Sequence, residues 1–362
     1  MLYEQLERHG HAPSIICRRG YALEAHARRR GWRHLALAFN SRFHPARDAH
    51  DVKLWLDWVY RHEVDVLHCH RGKDHWVGMA VAQWTRRPIV RTRHVVQPVR
   101  QHLLNRWLYL SATDAVLCVS EAVRESFLSW APRLPRGAVI HSPVDVDRFH
   151  PAKADPRWRI PPGDPPQGRG AGAAFWAIWV GRLQGIKGPD VMIEAALRTA
   201  RQAPRFHLMM IGVGSVGRVH AIRQRVADAG LADRIRIVNA FVDDLPARMA
   251  AMDAGVITSV GSEGSSRVAL EMMASGLPLV ASRVGGIPEI VGKQPGNRLV
   301  RPGDAAAVSQ AIQHLMGDPR EAHRIGQANR VRVERDHRPD NWCRQMIATY
   351  ASVLGVQPET LI

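Results

Sequence analysis

Short apolar runs of four to seven residues recur along the chain, and most are followed by a turn and then a stretch with helical spacing. Val64–Cys69, Pro88–Thr92 and Asp114–Val119 do this in the first half; Phe175–Val180, Phe206–Ile211, Ala254–Val260 and Leu277–Ala281 do it in the second. Runs this short, with helices between them, predict strands of parallel sheets, because parallel neighbours need a crossover connection and helices then cover both faces. The prediction is an α/β chain of two Rossmann-like, doubly wound domains. At 362 residues two domains are expected, not one. The break falls at 151–174, where Pro151, Pro156, Pro161, Pro162, Pro165 and Pro166 alternate with Gly163, Gly168, Gly170 and Gly172. That composition supports no regular element. The domains are therefore placed at 1–150 and 175–335, with 336–362 as a separate C-terminal helix.

The start of the chain departs from this pattern. A doubly wound domain opens with a strand and a glycine-rich turn, whereas Leu2–His9 reads as a helix with neither before it. The expectation is that the first strand of this domain is missing, a start codon placed too late being one explanation. Ligands of parallel sheets sit beyond the carboxyl ends of the strands, which draws attention to His68, His70, Lys73 and Asp74 after one strand and Arg93 and His94 after another. The His68-Cys69-His70 stretch is expected to turn its two rings apart, which argues against a metal site.

The chemistry concentrates after the run Ala254–Val260. Glu263, Gly264, Ser265 and Ser266 form a strand-to-helix turn, and Glu271 lies one to two turns into the helix that begins at Arg267. The backbone N–H groups near Ser265 and Ser266 are a natural seat for phosphate. Upstream, Gly181-Arg182-Leu183-Gln184-Gly185-Ile186-Lys187-Gly188 links another strand to another helix. A guanidinium and an ammonium flanking such a turn suit a diphosphate; a solvated charge pair is the plain alternative. Gly212, Gly214 and Gly217 match G-x-G-x-x-G, but the next strand ends at Asn239 and not at an acid, so a tight turn is expected in place of a dinucleotide site.

Three linked motifs, E-G-x5-L-E from Glu263 to Glu271, G-L-P-L-V-A-S at 276–282 and G-G-I-P-E-I-V at 285–291, together resemble the signature of family-4 glycosyltransferases, retaining enzymes of the GT-B fold. Residues 181–188 resemble the family's G-R-L-x-x-x-K-G, and Ser142–Phe149 its N-G-V-D-x-x-R-F with Ser-Pro in place of Asn-Gly. Asp145 and Asp147 also spell D-x-D, but in this setting Asp145 reads as a turn residue and not as a metal ligand. The resemblance implies two domains facing a cleft, with the last helix returning to the first domain. It implies that Arg182 and Lys187 hold the leaving diphosphate and that Glu271 accepts ribose hydroxyls. It places Glu263 against the donor sugar, with Gly181, Gly264, Ser265 and Ser266 lining the donor site. His94 would reach the sugar or phosphate, Lys73 and Asp74 would form an acceptor-side loop, and neither metal nor cofactor is implied.

Composition narrows the partners. Hydrophobic residues make up 46% and charged residues 23%, an ordinary globular mix. Cys17, Cys69, Cys118 and Cys343 are scattered, which fits reduced thiols in a cytosolic setting. No signal peptide is visible, and no apolar run approaches the roughly 20 residues that span a bilayer. Net charge is +17, with 27 Lys and Arg against 16 Asp and Glu in residues 1–174. Such a surface suits anionic lipid or phosphorylated glycolipid. The expected partners are a nucleoside-diphosphate sugar and a glycan or lipid-linked acceptor, in lipopolysaccharide or other cell-envelope synthesis, with peripheral contact to the inner face of the cytoplasmic membrane. Three alternatives stand beside this: an epimerase-type enzyme on the same fold, a nucleic-acid-binding protein, for which no recognition motif is visible, and a truncated, inactive transferase.

Overall fold

The computed structural model describes residues 1–40, 42–128, 134–159, 174–261, 263–292 and 295–361. Most of the expected linker, 160–173, lies outside the described residues, as do Ser262 and Trp130. The chain divides into two compact units, Met1–His141 with Pro339–Ile362, and Ser142–Arg338.

The first unit runs α1 (Leu2–Arg8), β1 (Ile15–Arg18), α2 (Ala22–Arg29), β2 (His34–Leu37), α3 (Pro45–Arg61), β3 (Leu67–Cys69), α4 (Gly72–Thr85), β4 (Ile89–Arg93), α5 (Leu103–Leu110), β5 (Ala115–Cys118), α6 (Glu121–Leu128) and β6 (Ala138–Val139). Its strands are parallel but form two sheets, β1-β2 and β3-β4-β5-β6, with no strand joining them among the described residues. The α3 helix starts earlier than its apolar spacing suggests, because Pro45 fits the first turn and His44 Nδ1 accepts from Arg47 N–H. Trp55 and Val59 of α3 pack with Leu37, Leu67 and Val81.

The second unit runs β7 (Phe175–Val180), α7 (Pro189–Gln202), β8 (Phe206–Gly212), α8 (Val216–Asp228), β9 (Ile235–Asn239), α9 (Leu245–Ala251), β10 (Ala254–Ile257), α10 (Arg267–Ala274), β11 (Leu279–Ser282), α11 (Ile287–Val291), β12 (Arg298–Val300), α12 (Ala305–Gly317) and α13 (Pro319–Asp336). Its single parallel sheet has the order β12-β11-β10-β7-β8-β9. The winding reverses between β7 and β10, and the crevice beyond their carboxyl ends is the switch point where such sheets bind ligands. Core side chains cover both faces, with Trp179, Met192 and Leu208 on one side and Trp176, Met209 and Met272 on the other.

One boundary differs from the sequence expectation. Ser142–His150 groups with the second unit, because Val144, Val146 and Phe149 pack with Trp176 and Met273. Arg330 fixes this segment by donating to the carbonyls of Val146, Phe149 and Ala274 at 2.8, 2.6 and 2.7 Å. The final helix, α14 (Pro339–Leu354), groups with the first unit, where Met346 is buried with Val90, Ala115, Leu117 and Ile140.

Candidate active site

The loops that follow β7 and β10 clamp each other. Val260 N–H donates to the Ile186 carbonyl at 2.8 Å, and Thr258 Oγ1 donates to the Gly188 carbonyl at 2.8 Å while accepting from Trp179 Nε1 at 2.9 Å. Gly188 has φ +66°, and a Cβ there would lie 2.0 Å from the Thr258 carbonyl oxygen, so only glycine lets the loops meet this closely. This packing brings Lys187 and Glu263, 76 positions apart, into contact.

Glu263 is 4% exposed. Its Oε1 accepts from Lys187 Nζ at 2.5 Å and from Ser259 Oγ at 2.6 Å. Its carbonyl accepts from Gly286 N–H at 2.8 Å, and a Cβ on Gly285 would lie 1.9 Å from that oxygen. The glycine turn before α11 is thus the wall that holds the Glu263 backbone. Arg182 is exposed and makes no ion pair or hydrogen bond among the described residues. Gly181 N–H donates to the Ile211 carbonyl at 3.1 Å, and the bare Gly212 lets the turns after β7 and β8 touch, since a Cβ there would meet the Gly181 oxygen at 1.7 Å.

Ser266 is the N-cap of α10, one residue before Arg267, but its side chain does not cap. The N–H groups of Ser265 and Ser266 donate to nothing among the described residues. Ser265 Oγ donates to Ser142 Oγ at 2.7 Å, tying the turn to the segment that enters this unit. Gly264 is buried beside them. Glu271 is half-buried, with no partner for its carboxylate among the described residues. Burial raises its pKa above the usual carboxylate value, and Arg267 and Arg148 pull the other way. The site therefore offers an unpaired guanidinium, an ammonium, vacant amides and an acceptor-only carboxylate on one unit. That set fits a diphosphate at one end and hydroxyls at the other. Asp145 does form a turn, its Oδ1 accepting from Asp147 and Arg148 N–H at 3.2 and 2.9 Å. Asn239 Oδ1 accepts from Gly214 N–H at 2.9 Å, so the third glycine motif is held by an amide side chain.

In the first unit the histidines correct one expectation. His68 and His70 do not diverge: their ring centroids are 4.3 Å apart, because residues two positions apart on a strand share a face. His68 bonds Tyr350 OH through Nδ1 and Thr92 Oγ1 through Nε2, each at 2.7 Å. His70 Nδ1 lies 3.1 Å from Nε2 of the exposed His94. Desolvation, then His94 and Arg91, pushes His70 down to about 3. The ring, though exposed at its outer edge, is therefore neutral at pH 7. Sequence reasoning drew attention to both His70 and His94 but not to their contact. Asp74 is the third residue of α4, and its carboxylate accepts from the N–H groups of His70 and Arg71 at 3.2 and 2.7 Å. Lys73 Nζ bonds Asp48 at 2.5 Å. Both side chains thus have local structural partners.

Known proteins bear directly on this arrangement. Residues 174–318 match the family described as "Glycosyl transferases group 1", and residues 1–148 match "Glycosyltransferase Family 4". The chain belongs to the family-4-like glycosyltransferases of the GT-B fold. Among curated relatives, a GDP-mannose-dependent alpha-(1-6)-phosphatidylinositol monomannoside mannosyltransferase of Mycolicibacterium smegmatis is 31% identical over 60% of this chain and 56% of its own length. A D-inositol 3-phosphate glycosyltransferase of Streptomyces avermitilis is 25% identical over 73% of this chain and 60% of its own. The chain thus spans less than two thirds of these relatives. Among solved structures, a glycosyltransferase from Rickettsia africae superposes with TM-score 0.84 at 21% identity, over 98% of this chain and 93% of that one. The Anabaena HepE protein in complex with UDP gives 0.82 at 20% identity, over 97% and 95%. These identities speak for the fold.

Proposed function

We propose that this glycosyltransferase moves a sugar from a nucleoside-diphosphate sugar to a lipid-linked or other cell-envelope glycan acceptor, with retention of anomeric configuration. The observation that carries the reading is the Lys187–Glu263 pair at the switch point, flanked by the unpaired Arg182 and the vacant amides of Ser265 and Ser266. Arg182, Lys187 and those amides stabilise charge as the diphosphate departs, a preorganised electrostatic contribution. Glu271 accepts the ribose hydroxyls. Glu263, fixed by two hydrogen bonds, positions the donor sugar, and Gly181 and Gly264 let the donor approach the backbone. The departing phosphate takes the acceptor proton. The role given to His94, a hydrogen bond to donor sugar or phosphate, rests on the family resemblance, as does an acceptor-side role for Lys73 and Asp74.

A lipid-linked acceptor is favoured by the +17 net charge and by relatives whose names include phosphatidylinositol monomannoside and inositol phosphate. No helix among the described residues is long and apolar enough to cross a membrane, so contact with lipid is peripheral in this reading. Lipopolysaccharide intermediates are one acceptor class within it. The test is transfer of label from UDP-, GDP- and ADP-sugars into an anionic glycolipid extract, with the anomeric configuration of the product read by NMR. A labelled lipid with the donor's configuration supports the proposal. An inverted product contradicts the retaining mechanism, and conversion of the donor sugar without transfer favours the epimerase-type reading.

A further inference from the structure

The outward face of α5 is apolar where a helix on a protein surface normally is polar. Leu103, Leu104 and Trp107 are 83%, 64% and 44% exposed, whereas Leu108 and Tyr109 turn inward against Val123 and Phe127. At 100° per residue the three exposed side chains fall within one third of the helix circumference, with Arg106 at the border of that stripe. The helix is not a frayed end. His102 Nδ1 accepts from Asn105 N–H at 3.3 Å as its N-cap, and Asn105 Nδ2 donates to the Arg100 carbonyl at 2.8 Å. Arg93 donates to the Gln97 carbonyl and holds the loop before it.

Charge identifies the occupant of this face. Residues 94–113 contain no Asp or Glu, while Arg100, His102 and Arg106 are all exposed. An apolar stripe of Leu and Trp bordered by arginines, on a helix too short to span a bilayer, matches an interfacial helix whose apolar side enters the headgroup boundary while its cations meet anionic lipid. We propose that α5 and the loop before it are the surface by which this protein docks on an anionic membrane. The inference deepens the lipid-linked acceptor reading by giving it a place. His94 is the first residue after β4 and opens this loop, so docking through α5 brings lipid to the same edge of the first unit as His70 and His94.

Co-sedimentation of the full chain with vesicles of phosphatidylcholine, alone or mixed with phosphatidylglycerol, tests it. The chain should bind the mixed vesicles, and Leu103→Gln with Leu104→Gln should weaken that binding about tenfold or more while leaving charge and thermal unfolding unchanged. Arg100→Gln with Arg106→Gln should remove most of the salt-sensitive part. Absence of binding at low salt, or binding indifferent to the leucine substitutions, would overturn the proposal. So would a chain that ignores vesicles but changes from dimer to monomer on those substitutions, which would make the face a contact between copies. Donor turnover in solution is read separately: vesicle binding without any turnover sinks the transferase reading and leaves this one standing.

Discussion

Removing the ammonium of Lys187 leaves Glu263 buried with, among the described residues, a single remaining donor to its carboxylate, Ser259 Oγ. Breaking a buried pair from one side costs about 3–5 kcal/mol when both charges are fully desolvated. Lys187 keeps 28% exposure in this pair, so water already screens part of the interaction, and Lys187→Met should cost about 2–3 kcal/mol. The unit holding the pair spans Ser142–Arg338. For a domain of that size each kcal/mol lowers Tm by about 2–4 °C, which gives a fall of about 4–12 °C. Glu263→Gln preserves an acceptor for Ser259 and leaves the lysine able to reach solvent, so it should cost about 1 kcal/mol. The double variant should be more stable than the sum of the single losses by about 1 kcal/mol or more, because neither charge is then stranded. Calorimetric unfolding of the full chain and the three variants closes the cycle. A Lys187→Met cost under about 0.5 kcal/mol, or single effects that simply add, would refute the view that this pair is a coupled, preorganised part of the site.

Arg182→Ala should leave unfolding within about 0.5 kcal/mol of the parent, since the guanidinium has no partner to strand among the described residues. It should weaken nucleoside-diphosphate binding by titration calorimetry roughly tenfold to a hundredfold, as loss of a charge-assisted contact would. Gly285→Ala should destabilise the chain by about 2 kcal/mol or more, because its φ of +54° and the Glu263 carbonyl at 1.9 Å leave no room for a methyl group. His75 is fully buried, its Nε2 2.8 Å from Thr113 Oγ1, and burial with a lesser push from Arg91 lowers it to about 3. The unfolded chain therefore binds the proton first, so this histidine's contribution is complete above about pH 6.5 and is lost as pH falls toward 3. Thermal unfolding between pH 7 and pH 5 should show a decline that His75→Gln flattens.

What could be read from the chain was what is local. The turns after β7 and β10, the helix starting at Arg267 and the glycines at 285 and 286 are contiguous patterns whose backbone demands the residue types dictate. The pairing of Lys187 with Glu263 was not legible, because it depends on β10 lying beside β7, which sheet order decides and spacing does not. For the same reason Ser142–Phe149 read as the end of the first domain: its attachment runs through Arg330, far along the chain. Helix α8 was hidden behind the glycine turn that precedes it. The outward stripe of α5 was present in the sequence as helical spacing, but which side faced water was set by the packing of Leu108 and Tyr109. The shared face of His68 and His70 was fully available from strand geometry.

The most direct test of the central claim is donor breakdown without acceptor. The full chain and Glu271→Ala would be incubated with UDP-, GDP- and ADP-sugars, and released nucleoside diphosphate followed over time. The account predicts release from one donor and its loss in the variant, with the folded state unchanged or slightly stabilised, because a half-buried carboxylate with no hydrogen-bond partner among the described residues is removed. Release that persists undiminished in Glu271→Ala would contradict the assignment of this site as the donor seat.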